Sequence, residues 1–118
     1  MASDRYVPRA FAIDDQLFGK QRVIKWRPSD GYTDREQDQL RSSQLQHLVS
    51  NVIREALARS NRLHSAADYA RAVDVSERRM GALLRGDVVM RLEDFAAAER
   101  ILKVTVIAPD GKGYETAE

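Results

Sequence analysis

Cysteine is absent from the 118 residues, which excludes disulfides, thiolate metal sites and cysteine nucleophiles together. The only imidazoles are His47 and His64. Neither has metal-type partners near it in sequence, so no metal site is expected and both are expected at the surface. No apolar run approaches the ~20 residues needed to cross a bilayer. The opening Met1-Ala2-Ser3-Asp4-Arg5 lacks the charged-then-apolar layout of a secretory signal, so the expected compartment is the cytoplasm, with no membrane partner. Aromatics make up 7% of the chain, too few for a base-stacking surface to dominate. An excess of either charge is also missing: 19 Lys and Arg stand against 18 Asp and Glu, a net +1. The chain as a whole therefore cannot hold nucleic acid by bulk charge, and any such binding must come from a local surface.

Catalytic signatures are missing too. No glycine-rich phosphate loop or nucleophile elbow occurs. The carboxylate pairs Asp14-Asp15 and Glu93-Asp94 are adjacent, which in a helix or strand sends them in different directions and builds no acid/base pair. Neither an enzymatic activity nor a cofactor is expected.

What is present describes one globular domain: 43% hydrophobic and 31% charged residues, with room for one core and an arm at either end. Residues 1–32 read as an N-terminal arm with one short strand, Gln21-Arg22-Val23-Ile24-Lys25-Trp26-Arg27, closed by the turn chemistry of Pro28-Ser29-Asp30-Gly31. Trp26 fits a packed arm and an interface equally well. Residues 33–104 read as helical. Thr33-Asp34-Arg35-Glu36 has the order of a capping box, and Leu45, Leu48, Val49, Val52, Ile53, Ala56 and Leu57 recur at the spacing of one helix face. Ser43 with Gln46 forms a second possible cap, so residues 34–60 are either one long helix or a short helix followed by a main one. Ser65 caps a short helix that buries Tyr69, Ala70 and Val73. Ser76 caps the helix Glu77 to Arg85, with Met80, Leu83 and Leu84 inward and Gly86 as its stop. A last helix from about Leu92 to Leu102 turns Leu92, Phe95 and Leu102 inward. Residues 105–118 read as a C-terminal β extension or tail, in which Val104-Thr105-Val106-Ile107 is a candidate partner for the N-terminal strand.

The segment Ser65-Ala66-Ala67-Asp68-Tyr69-Ala70-Arg71-Ala72-Val73-Asp74-Val75-Ser76-Glu77-Arg78-Arg79-Met80-Gly81-Ala82-Leu83-Leu84-Arg85-Gly86 resembles the helix-turn-helix of the lambda-repressor-like family, also called the Xre or Cro/C1 type. Ala70 matches the small position where the two helices cross. Val75 and Met80 match the plug between them, and Leu83 the anchor to the core. Ile101-Leu102-Lys103-Val104 also looks like its counterpart, and the likeness covers about Leu48 to Val104. Two positions depart from the pattern. Ala66 stands where many members carry a phosphate-contacting glutamine, and Asp74 stands at a turn position usually held by glycine, where aspartate is tolerated.

The resemblance implies a mainly α fold, a five-helix domain from about Leu45 to Val104 with short β arms at both termini. It also implies a sequence-specific regulator of transcription, a repressor by type, that binds double-stranded DNA in a bacterial or phage-infected cell. A helix enters the major groove only when a second helix braces it across the backbone, and polar side chains on its outer face then meet base edges. By family position Glu77, Arg78, Arg79 and Ala82 are implied base-contacting residues, and Ser65, Ser76 and Arg85 phosphate-contacting ones. Since one such domain makes few base contacts, a homodimer reading two half-sites is expected, with the terminal strands as its contact. Two rival readings stand beside this one. An antitoxin-type regulator would bind its own operator and hold a toxin through the N-terminal arm, and a protein-interaction module would use the same scaffold without DNA.

Overall fold

Thr33 starts the longest element of the chain by a reciprocal cap: its hydroxyl accepts the Glu36 amide at 3.1 Å, and the Glu36 carboxylate accepts the Thr33 amide at 2.8 Å. In the computed structural model, which describes residues 6–104, the helix that follows, α1, runs unbroken over Asp34–Arg59. The second possible cap is not used. Ser43 lies inside α1, where its hydroxyl donates back to the Gln39 carbonyl at 2.7 Å. The chain leaves α1 at Ser60, whose Oγ accepts the amides of Arg62 and Leu63. Three shorter helices follow: α2 over Ala66–Ala72, α3 over Glu77–Arg85 and α4 over Leu92–Leu102.

The fold is mainly helical, with four α-helices among the described residues where five were expected. None of the four is long and apolar enough to cross a membrane. Their core is formed by Val49, Ile53 and Leu57 of α1, Tyr69 and Ala70 of α2, Met80, Leu83 and Leu84 of α3, Met90, and Ala98 of α4. Phe95 and Leu102 pack against it half-buried. Leu92 corrects the expectation: it begins α4 facing outward and is 77% exposed.

The N-terminal segment differs more. Among the described residues there is no β-strand, and residues 21–27 contribute one antiparallel bridge, Ala12 to Trp26, flanked by Ile13 N–H to the Lys25 carbonyl and Arg27 N–H to the Phe11 carbonyl. The segment therefore pairs with itself. Two 3₁₀ turns, Pro8–Phe11 and Asp15–Leu17, compact it further. The C-terminal β extension or tail expected over residues 105–118 lies outside the described residues.

This arm packs on the polar side of α1. Phe18 is buried with its ring edge-on to Trp26 and His47, at centroid distances of 6.3 and 5.4 Å. Gly19 has φ +75°, and a Cβ there would lie 2.3 Å from Ser50 Oγ and 2.9 Å from the Leu84 carbonyl, so only glycine fits. Its amide donates to His47 Nδ1 at 2.8 Å, and its carbonyl accepts from Asn51 Nδ2 at 3.3 Å. His47, expected at the surface, is thus a buried residue, 2% exposed. Because Nδ1 accepts, Nε2 must carry the proton and donate to the Arg22 carbonyl at 3.0 Å, so the ring is held neutral. Next to it in sequence, Gln46 Nε2 donates to the carbonyls of Leu83 and Val88, and its Oε1 accepts the Met90 amide.

Two predictions follow from these contacts. Gln46→Leu keeps the volume but leaves the Val88 carbonyl and the Met90 amide without their partner, the Leu83 carbonyl keeping the Gly86 amide, so it should cost about 2 kcal/mol or more in denaturant unfolding. A loss under about 1 kcal/mol would contradict the arrangement. Burial pushes the His47 imidazole below its ordinary 6.5, against the bonds to Arg22 and Gln21 that favour its charge. The unfolded chain therefore takes up this proton first. The contribution is intact above pH 6.5 and is lost as pH falls below it, by at most about 1.4 kcal/mol per pH unit. His47→Gln should flatten that slope between pH ~7.5 and ~5.5; parallel slopes would show that His47 is not its source.

Candidate nucleic-acid interface

Two serines set the geometry of the α2–α3 unit. Ser65 Oγ accepts the Asp68 amide and Ser76 Oγ accepts the Arg79 amide, each at 3.1 Å, so both of these implied phosphate-contacting residues are exposed N-caps. Asp68 completes the first cap by accepting the His64 amide at 3.0 Å, and that bond leads the causes holding its carboxyl below the usual range. Between the helices Asp74 takes φ +60°, the left-handed conformation expected of it, and the Val75 amide returns to the Ala70 carbonyl at 2.9 Å. Ala70 is fully buried at the crossing, Met80 and Leu83 are buried beneath α3, and Val73 and Val75 fill the angle half-buried. Tyr69 is core. Burial and the nearby Asp94 push its hydroxyl up to about 12.

What remains outward on α3 is a narrow stripe. Glu77 and Arg78 are exposed near its N-terminus, Gly81 and Ala82 are half-buried at its middle, and Arg85 is exposed at its end. Small residues lie between the two arginines, and the Arg85 guanidinium folds back over the middle of the stripe, its Nη1 2.9 Å from where a Cβ on Gly81 would stand. Comparison of the chain with protein-family models, with curated proteins and with solved structures finds no match. The chemistry of the stripe therefore rests on the residues themselves.

Arg79 does not belong to the stripe. Its guanidinium turns toward α4, where Nη2 lies 3.4 Å from Asp94 Oδ2 and the side chain is 36% exposed. The same Asp94 oxygen accepts the Arg91 amide at 2.8 Å and so caps α4. Arg79 thereby links the start of α3 to the start of α4, a role that spacing alone does not distinguish from base contact.

At the other end of α3 the sequence reading missed a bridge. Asp87 accepts from Arg85 Nε at 3.0 Å and from Arg9 Nε at 2.5 Å, while Arg9 also holds Asp15 at 2.6 Å. Burial works against the Asp87 charge, but the two arginine hydrogen bonds outweigh it and keep the carboxyl below its ordinary range. The Arg9 amide adds a bond to the Gly86 carbonyl at 3.0 Å. Gly86 stops α3 at φ +79°, and the Phe18 ring would meet a Cβ there at 2.8 Å. Arg9 and Asp87 are 78 positions apart, so no local pattern announces the pair.

Replacing each neighbouring arginine separates the two roles. Arg79→Ala should cost about 1 kcal/mol of stability by releasing Asp94, whereas Arg78→Ala should stay within about 0.5 kcal/mol of the parent in chemical denaturation. Equal losses would contradict the division.

Proposed function

We propose that the chain is a sequence-specific double-stranded DNA-binding regulator of transcription, a repressor by type, built on a lambda-repressor-like helical domain and reading the major groove with α3. The observation that carries this reading is the outer stripe of α3. It combines exposed Glu77 and Arg78, the small Gly81 and Ala82, and a terminal Arg85, on a helix whose opposite side is buried by Met80, Leu83 and Leu84. Arg78 suits the O6 and N7 of a guanine, and Glu77 suits the amino group of a cytosine. Ser65, Ser76 and Arg85 suit backbone phosphates, which position a protein without specifying sequence. Arg79, tied to Asp94, supports the reading helix and does not read. The protein acts in the cytoplasm as a homodimer, since one α3 covers too few base pairs for tight recognition.

A second reading, a protein partner held by the arm as in an antitoxin-type regulator, is favoured by one observation. Val23 is 84% exposed beside a recess lined by Ile24, Trp26, Leu48, Arg22 and Arg41. Co-purification from the native host separates the two readings.

Enrichment of random duplex DNA on the purified protein tests the first. A defined site should emerge, and Arg78→Ala should lose about 1–3 kcal/mol on that site and relax preference at one base pair. Enrichment of no sequence would contradict the proposal, and so would an Arg78→Ala protein with unchanged affinity and preference.

A further inference from the structure

Five arginines of the described chain, Arg9, Arg71, Arg79, Arg85 and Arg91, face carboxylates. Arg54 does not. It lies half-buried on α1, one helical turn beyond Ser50, whose hydroxyl bonds the Leu84 carbonyl at 2.6 Å and so brings this part of α1 against the end of α3. Its Nε is buried and has no hydrogen-bond partner among the described residues. The charged group nearest in effect is another cation, Arg85: burial first, and then the like charge of Arg85, hold Arg54 below the ordinary arginine value. A guanidinium does not shed its proton to relieve such a position. Arg85 itself spends only Nε on Asp87, and its Nη1 lies over the α-carbon of Gly81, 2.9 Å from where a Cβ would stand. Two guanidiniums near enough to repel, one of them without an anion among the described residues, form an arrangement that a bound anion would complete, because planar N–H forks match phosphate oxygens.

We propose that Arg54 of α1 and Arg85 of α3 form a two-arginine phosphate clamp that holds one phosphodiester of the DNA backbone beside Gly81, along the second half of the reading helix. This rests on the DNA-binding reading and extends it to a residue on a different helix, outside the helix-turn-helix segment. The clamp grips without selecting sequence. It fixes how far α3 can slide along the groove, because Arg54 is set on the helix that carries the core.

The salt dependence of duplex binding tests it, with Arg54→Leu, Arg54→Lys and Arg78→Ala measured beside the parent. Arg54→Leu keeps the buried stem while removing the charge. It should weaken binding to all duplexes equally and reduce the slope of log affinity against log salt by about one, so that parent and variant converge about threefold between ~50 and ~200 mM salt. Arg54→Lys should retain the slope and lose part of the affinity. The unfolding midpoint of Arg54→Leu without DNA should equal or exceed the parent's, since an uncompensated buried charge is gone. An Arg54→Leu slope equal to the parent's, while Arg78→Ala still relaxes sequence preference, overturns the clamp and leaves the DNA reading standing. If the parent binds no duplex, both fall. If inorganic phosphate raises the parent's unfolding midpoint but not that of Arg54→Leu, and the duplex slope is indifferent to Arg54, the site serves free phosphate and the backbone assignment is overturned.

Discussion

One face of α1 places everything else. Ser43, Gln46, His47, Ser50 and Asn51 are all buried there, and buried polar groups are tolerable only when each finds a partner. Each does. Ser43 bonds within its own helix, Gln46 holds the main chain at Leu83, Val88 and Met90, Ser50 takes Leu84, and His47 and Asn51 take both sides of Gly19 and the Arg22 carbonyl. Such a network is costly when half made, which couples the arm, the end of α3 and the approach to α4 into one cooperative unit. An ordinary amphipathic helix would fix its neighbours only approximately; these bonds fix their register residue by residue.

The consequence for the candidate interface is rigidity at the end of α3. Its last carbonyls are claimed by Gln46 and Ser50, its stop at Gly86 is roofed by the Phe18 ring, and Arg85 shares Asp87 with Arg9 of the arm. Its start is held by Ser76 and, through Arg79 and Asp94, by α4. A helix fixed at both ends from behind presents its front without rearrangement, and a site that must align several side chains with fixed base edges gains affinity from such preorganisation.

Local chemistry was readable from the sequence wherever it acts over a few residues. The capping box at Thr33 and Glu36, the caps at Ser65 and Ser76, the turn at Asp74 and the stop at Gly86 all occur as their residue types require. So does the inward set Met80, Leu83 and Leu84. The arm was not readable, for a physical reason. Ala12, Phe18, Ile24 and Trp26 follow no period, and they pack against a helix face whose serine, glutamine, histidine and asparagine look solvated when only spacing is considered. The strand composition of residues 21–27 was real, but with its neighbour folded into 3₁₀ turns it finds a single bridge. Leu92 misled because a leucine at a helix start counts toward the apolar pattern although nothing packs over it there. In the candidate site, Arg78 and Arg79 are adjacent and identical in type, and only the position of Asp94, 15 residues on, assigns them different work.

The account stands or falls on whether the front of α3, braced by α1, is where duplex DNA lies. The most direct measurement is an NMR titration of the labelled protein with a selected duplex, following backbone amides and arginine Nε–H signals together. The account predicts that perturbations gather at Glu77, Arg78, Gly81 and Ala82 and at the Nε–H groups of Arg54 and Arg85, with the amides of Phe18 and Gly19 nearly unmoved. Perturbations centred on Val23, Trp26 and the arm, with α3 silent, would contradict it.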